Sequence, residues 1–295
     1  MTAIKPKFSI LDHRIIGWYY PWIMKGLVPT SCSLENKLRT VQKLGYAGYG
    51  TSWWELVAFR QEHGDLDPLK LLCKQLQFPL SAYGFVAEGW AFAKGQTQKN
   101  AMLVAQYGLD LARAAGCDGP YLLGPFDSGD VRQAASAFRE LCQYAAQFQM
   151  KVALELVGIS QQINSINAAW EFLELTCVEN AGVALDSYHF FAGPSKLKDL
   201  EAFPLSKIHV VHLADGPADL SDPAFELDRQ MPGEGKLPLV EFVQVLLEKG
   251  FDGFWHVECI QGRDYASDFT EVAERGLRST RSVVEAATSA VSGTR

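Results

Sequence analysis

The chain has no apolar run approaching the roughly 18 residues needed to span a bilayer, and Met1 to Arg14 lacks the continuous apolar stretch of an export signal. The expectation is a cytoplasmic protein with no membrane partner. There is no long Lys/Arg block either, and 27 Lys+Arg against 34 Asp+Glu leave a formal net charge of -7. That balance repels a phosphate backbone, so nucleic acid is not an expected partner. Six cysteines (Cys32, Cys73, Cys117, Cys142, Cys177 and Cys259) form no C-x-x-C pair, which argues against a thiolate metal site and for reduced thiols. No G-x-G-x-x-G turn follows the first apolar segment, where Trp18 is succeeded by Tyr-Tyr-Pro-Trp. A doubly wound nucleotide-binding sheet is therefore disfavoured. No low-complexity linker divides the chain.

What is present is a large apolar content, 48% of 295 residues, enough for one extended core. Short runs rich in β-branched and aromatic residues alternate with longer segments of helical spacing. The expected strands are Ile15 to Trp18, Tyr46 to Thr51, Leu80 to Val86, Tyr121 to Leu123, Val152 to Val157, Val183 to Asp186, Ile208 to Leu213 and Phe254 to Glu258. Between them lie helical stretches such as Leu34 to Leu44, Asn100 to Ala115, Val131 to Phe148 and Pro238 to Lys249. In the last of these, Leu239, Phe242, Val243, Leu246 and Leu247 fall on one stripe. Glycines punctuate several helix ends just before the next strand, at Gly45, Gly116 and Gly250. The pattern predicts an α/β fold: a single-domain (β/α)8 TIM barrel over residues 1–288 with a flexible tail over 289–295.

In such a barrel the active site forms where strands end at their C-terminal edge. Each of the last four expected strands closes on a polar residue: Glu155, Asp186, His212 and Glu258. If these point inward, so do the residues two earlier, Ala153, Ala184, Val210 and His256, while Leu154, Leu185, Val211 and Val257 face the helices. A single such carboxylate is most simply a helix cap. Three carboxylates and an imidazole converging on one rim repel unless a cation holds them. The predicted cofactor is one divalent metal ion, and a mainly oxygen set with a single nitrogen suits Mn²⁺ first, then Mg²⁺, Co²⁺ or Zn²⁺.

These residues carry a resemblance. Glu155, the Asp186-x-x-His189 pair, His212-x-x-Asp215, the segment from Asp228 to Gly235 and the final Glu258 resemble the xylose isomerase-like TIM-barrel superfamily. Within it, the part from Val210 to Glu258 is most similar to inosose isomerases and related sugar isomerases or epimerases. The resemblance implies that Glu155, Asp186, His212 and Glu258 bind the metal, that Glu155 and Glu258 are also the acid/base pair, and that His189 and Arg229 hold substrate oxygens. The implied reaction is isomerisation or epimerisation of a small unphosphorylated keto-sugar or inosose. Proton removal beside the carbonyl leaves an enediolate that a chelated cation stabilises.

Other residues have competing readings. Asp215 orients a ligand or caps its loop, and His256 sits one layer below the rim as a hydrogen-bonded neighbour of the site. His189 is expected in the loop after the sixth strand, and Arg229 in a long loop over the barrel mouth. Trp18, Trp22, Trp53, Trp54 and Trp90 fall near the ends of the first three strands. Trp18 and Trp54 are candidates to stack on the C–H face of a sugar or cyclitol; the aromatics equally suit an apolar lid or a homo-oligomer contact. A dehydratase of a keto-cyclitol or dehydroshikimate would use the same layout, with the second acid protonating a β-hydroxyl. An AP endonuclease is more remote, because Asp228-Arg229 is followed by Gln230 rather than His.

Overall fold

Eight short strands hydrogen-bond in parallel, each to its sequence neighbours, and the last returns to the first to close a barrel. In this computed structural model, which describes residues 5–12, 32–220, 229–258 and 267–293, the strands are β1 (Lys7–Leu11), β2 (Gly48–Ser52), β3 (Leu80–Phe85), β4 (Pro120–Leu123), β5 (Val152–Glu155), β6 (Ala181–Asp186), β7 (Ile208–Leu213) and β8 (Phe254–Glu258). Around them run α1 (Leu34–Leu44), α2 (Trp53–His63), α3 (Asp67–Leu76), α4 (Gly95–Ala115), α5 (Val131–Ala146), α6 (Ile166–Thr176), α7 (Ser187–Ala192), α8 (Leu197–Ala202), α9 (Leu239–Glu248) and α10 (Phe269–Gly293). None of the described helices is long and apolar enough to cross a membrane.

The period-2 alternation sorts side chains as the strand endings require. Ala153, Ala184 and Val210 meet Leu11, Ala82 and Tyr121 in a small cluster inside the barrel. Their sequence neighbours Leu154, Leu185, Val211 and Val257 belong to the larger core shared with the helices, including Phe138, Phe172 and Phe242. Helix starts have local causes: Ser33 accepts from Asn36 N–H, Asp130 from Arg132 and Gln133, and Ser165 from Ala168. The expected helix-ending glycines adopt the left-handed conformation, Gly45 at φ 92°, Gly116 at 73° and Gly250 at 84°.

Several expectations change. The first barrel strand is Lys7–Leu11, which pairs with β2 and β8; the expected strand Ile15 to Trp18 lies outside the described residues. Lys7–Leu11 is short and carries Lys and Ser among its apolar residues, so composition did not mark it. Two helices were not anticipated. In α2 the apolar Trp53, Trp54, Leu56, Val57 and Phe59 spread around the axis and leave no single stripe. α7 is six residues long, too short for periodicity, and is nucleated by Asp186, whose carboxylate accepts the His189 N–H. His189 is thus helical rather than in a loop. The tail expected from Ser289 continues α10 to Gly293, with Ser289 and Ser292 hydroxyls bonded to carbonyls four residues earlier.

A buried ion cluster locks the first third of the ring. Lys37 on α1 is 1% exposed, and its Nζ lies 2.8 Å from both Asp12, which follows β1, and Glu55 on α2. Glu55 also accepts from Tyr49 (2.9 Å) and Thr51 (3.0 Å) on β2. Burial opposes charge on Lys37, but the two carboxylates outweigh it and hold the ammonium well above its ordinary range. Lys37→Met, which keeps the volume but strands two buried carboxylates, is expected to cost about 3–5 kcal/mol in urea denaturation. A loss under about 1 kcal/mol would show that the carboxylates are satisfied without it.

At the opposite end of the barrel His209 is the extra residue where the β6–β7 register shifts, and its ring fills the space left by Gly182. Burial, with Lys151 and Lys207 nearby, lowers its pKa to about 4 from 6.5. Between those values the unfolded chain holds a proton that the folded chain does not, so stability falls as pH drops from 6.5 to 4, by up to about 1.4 kcal/mol per pH unit from this residue. Urea midpoints measured across that window should fall less steeply for His209→Leu than for the parent chain; parallel curves would remove His209 as a cause.

Candidate active site

Glu155, Asp186 and Glu258 are the last residues of β5, β6 and β8, and His212 is next to last on β7. Parallel pairing sets Asp186 beside His212 and Leu11 beside Glu258, so the four side chains emerge on one rim. They are 0 to 6% exposed, and one potential ligand atom from each lies within 4.8 Å of all the others. The sequence therefore brings together the four residues it singled out.

The internal geometry is that of donors aimed at a common point. His212 Nδ1 lies 3.3 Å from Glu155 Oε1 and 2.6 Å from Glu258 Oε2, yet it makes a well-formed hydrogen bond to neither. Burial pushes the Glu155 carboxyl up, against the pull of His212, and the charge of Glu258 pushes it further. Burial alone would lower His212, but the carboxylates of Glu258 and Glu155 overcome it and raise the imidazole to about 10. Without a cation the cluster must therefore retain protons; a divalent ion would replace them. The donor set, three carboxylates and one imidazole at mutual close approach, fits such an ion.

Around the cluster each neighbour has a defined task. Asp186 uses its second oxygen to accept from Arg229 at 2.8 Å, and another guanidinium nitrogen lies 3.2 Å from His189 Nε2. The guanidinium also stacks 4.7 Å over Tyr188. Arg229 is only 2% exposed, so it is a built part of the site rather than a solvated loop residue. Asp215 holds the loop that delivers it: its carboxylate accepts from Gly216, Gly233 and Leu237 N–H at 2.8 to 3.0 Å, and its backbone pairs with Gln230. Gly158 lets the β5–α6 loop press against α7, since a Cβ there would collide with the His189 carbonyl.

Beneath the rim, Tyr121 places its ring edge-on to His212 with centroids 4.8 Å apart. Burial and the carboxylates Glu258, Glu155 and Asp186 hold its phenol far above the usual range, so it stays neutral. This residue was missed, although its register partner Ala153 marks it as inward-facing. His256 is buried one layer below Glu258, bonded to Val211 O and Ser81 Oγ at 3.1 Å each. Burial and the charge of His212 depress its pKa to about 3.

The tryptophans separate. Trp90 belongs to the core, packed on Phe138 and Phe172 with centroids 5.9 and 6.4 Å apart, and lines no mouth. Its position near a strand end misled, because its ring is buried among core side chains. Trp53 meets Tyr107 edge-on, and Trp54 is half-buried on the first turn of α2, across the ring from β6. Trp18 and Trp22 lie outside the described residues, as does Asp228.

Comparison with known proteins agrees with this architecture. Residues 38–283 match the xylose isomerase-like TIM barrel family. The inosose isomerase of Halalkalibacterium halodurans is 32% identical over 154 residues, 52% of this chain and 55% of that protein. The chain thus spans about half the length of the curated relatives it matches at this level. The 3-dehydroshikimate dehydratase of Pseudomonas putida is 23% identical over 85% of this chain and 40% of its own length. Among solved structures, an IolI protein with bound zinc superposes with a TM-score of 0.82 at 20% identity, covering 94% of this chain and 98% of the other. With most of its length matched, the chain belongs to the xylose isomerase-like TIM-barrel family, a family of enzymes.

Proposed function

We propose that the protein is a divalent-metal-dependent isomerase or epimerase of a small, unphosphorylated keto-sugar or inosose. The carrying observation is the pair of buried rim carboxylates, Glu155 and Glu258, which approach the same ring nitrogen of His212 from strands three apart in the ring. Glu155, Asp186, His212 and Glu258 would hold the ion, with Mn²⁺ the first candidate. An ion held by these residues would supply Lewis-acid stabilisation of the charge that develops when the carbon beside a carbonyl loses its proton.

The remaining steps belong to the chain's own groups. We assign Glu155 and Glu258, buried at the rim with their oxygens 3.3 and 2.6 Å from His212 Nδ1, the removal and return of the substrate proton. Return to the opposite face epimerises; return to the neighbouring carbon isomerises. Arg229 orients Asp186 through its hydrogen bond, and with His189 it is assigned to the substrate's hydroxyls. Trp54 is assigned to the apolar face of the ring. Cys73, Cys117, Cys142 and Cys177 are free thiols, which fits a reducing cytoplasm. The second reading, dehydration of a keto-cyclitol, is favoured by the match to a dehydroshikimate dehydratase over 85% of the chain.

Two measurements test the reading. Calorimetry with Mn²⁺ should show one ion per chain, with affinity falling as pH falls, because the raised His212 and Glu155 hold protons that the ion must displace. Affinity independent of pH would contradict the assigned ligands. Incubation with ketoses, inososes and dehydroshikimate in D₂O should give deuterium entry with an intact skeleton, and Glu155→Gln and Glu258→Gln should each lose about 10²–10⁴-fold in turnover. Loss of water from the substrate would select the dehydratase instead, and full activity in both variants would sink the mechanism.

A further inference from the structure

Below the rim the barrel interior carries a line of polar side chains that the proton-transfer chemistry does not use. Ser9 on β1, Ser81 on β3 and His256 on β8 are all buried. Ser9 Oγ lies 2.8 Å from Ser81 Oγ, although β2 stands between their strands. They meet because the β2 residue paired with Ser9 is Gly48, where a Cβ would come within 2.8 Å of Ser81 Oγ. Ser81 Oγ is 3.1 Å from His256 Nε2, and His256 Nδ1 is 3.1 Å from the Val211 carbonyl oxygen.

For a ring carrying one proton, donor arithmetic gives this line one direction. A carbonyl oxygen only accepts, so the proton is on His256 Nδ1. The neutral ring then offers a lone pair at Nε2, and the Ser81 hydroxyl donates to it. That uses the one proton of Ser81, so its oxygen accepts from Ser9. The order is Ser9 to Ser81 to His256 to Val211.

The far end of the line meets the ligand cluster. His256 pairs with His212 across β7 and β8, and the two rings stand edge-on with centroids 5.7 Å apart. Val211 is the residue before His212, and Glu258 follows His256 by two. One imidazole therefore ties the peptide entering His212 to the strand that ends in Glu258.

We propose that His256 is a positioning residue: the Ser9–Ser81 donor chain locks it as the Nδ1–H tautomer, and its bond to the Val211 carbonyl sets His212 against Glu258. A packed aliphatic side chain would fill the same layer without fixing that separation. The proposal rests on the reading of the cluster as a metal centre.

The tautomer is tested on metal-free, full-length protein by ¹⁵N imidazole NMR. His256 should show a protonated Nδ1 and an unprotonated Nε2; an Nε2–H tautomer or a doubly protonated ring overturns the chain. Positioning is tested by Mn²⁺ calorimetry. His256→Phe should weaken Mn²⁺ binding by about tenfold or more, and His256→Asn, which keeps an N–H near the Val211 carbonyl, should recover most of the loss. A folded His256→Phe that binds Mn²⁺ as tightly as the parent overturns the role. Should that variant not fold, Ser81→Ala replaces it: mixed tautomers and weaker binding support the proposal, and an unchanged tautomer with unchanged affinity refutes it. A parent protein that takes up no Mn²⁺, Co²⁺ or Zn²⁺ fails the metal-centre reading instead, while the tautomer measurement still decides the hydrogen-bond chain.

Discussion

Three carboxylates drawn around one imidazole at the end of a closed barrel are a collection of like charges that water can scarcely reach. Bringing Glu155, Asp186 and Glu258 together costs desolvation and repulsion, and nothing in apolar packing compensates for it. The surroundings answer that cost in distinct ways. Arg229 neutralises Asp186 from one side, and His212 shares its charge between the two glutamates. A divalent ion would complete the neutralisation, so the electrostatic problem and the chemical capability are the same feature. The loop clip at Asp215, the short helix α7 and the narrow passage at Gly158 all serve to keep Arg229 and His189 at that point.

The barrel surrounds this charge with both apolar and polar contacts. Its interior is not uniformly apolar: a layer of Leu11, Ala82, Tyr121, Ala153, Ala184 and Val210 lies beside the polar line of Ser9, Ser81 and His256. On the other side, Lys37 joins Asp12 and Glu55 so that the ends of β1 and β2 are fixed to α1 and α2. The rim is thus tied by ionic contacts near β1 and β2 and carries the carboxylate–imidazole cluster from β5 to β8. Trp54 sits on the helix turn that the Lys37 cluster anchors, which places a candidate sugar-stacking ring on a fixed support.

Legibility followed the range of the interaction. β7 and β8 have the expected boundaries, Ile208–Leu213 and Phe254–Glu258, because an apolar strand closed by a polar residue is a contiguous pattern. The inward set Ala153, Ala184 and Val210 followed from period 2 alone. β1 did not, since Lys7–Leu11 is recognisable as a strand only through its pairing with β2 and β8. α2 was hidden by apolar residues on every side, and α7 by its length. Trp90 looked like a rim aromatic by position and is a core residue by packing.

By itself the sequence determined the α/β alternation, the polar residue at each of the last four strand ends and, through them, the donor types gathered in the cluster. These depend on neighbours within a few residues, so they are written in local order. Only the tertiary structure decided that Arg229 bonds to Asp186, 43 positions away, and that Ser81 meets His256 across 175. It also decided that Lys37 is a buried ion-pair centre rather than a surface charge on an amphipathic helix. Hydrogen bonds and ion pairs of that span are set by how a closed barrel brings strands side by side, and a closed ring has neighbours that chain order does not contain.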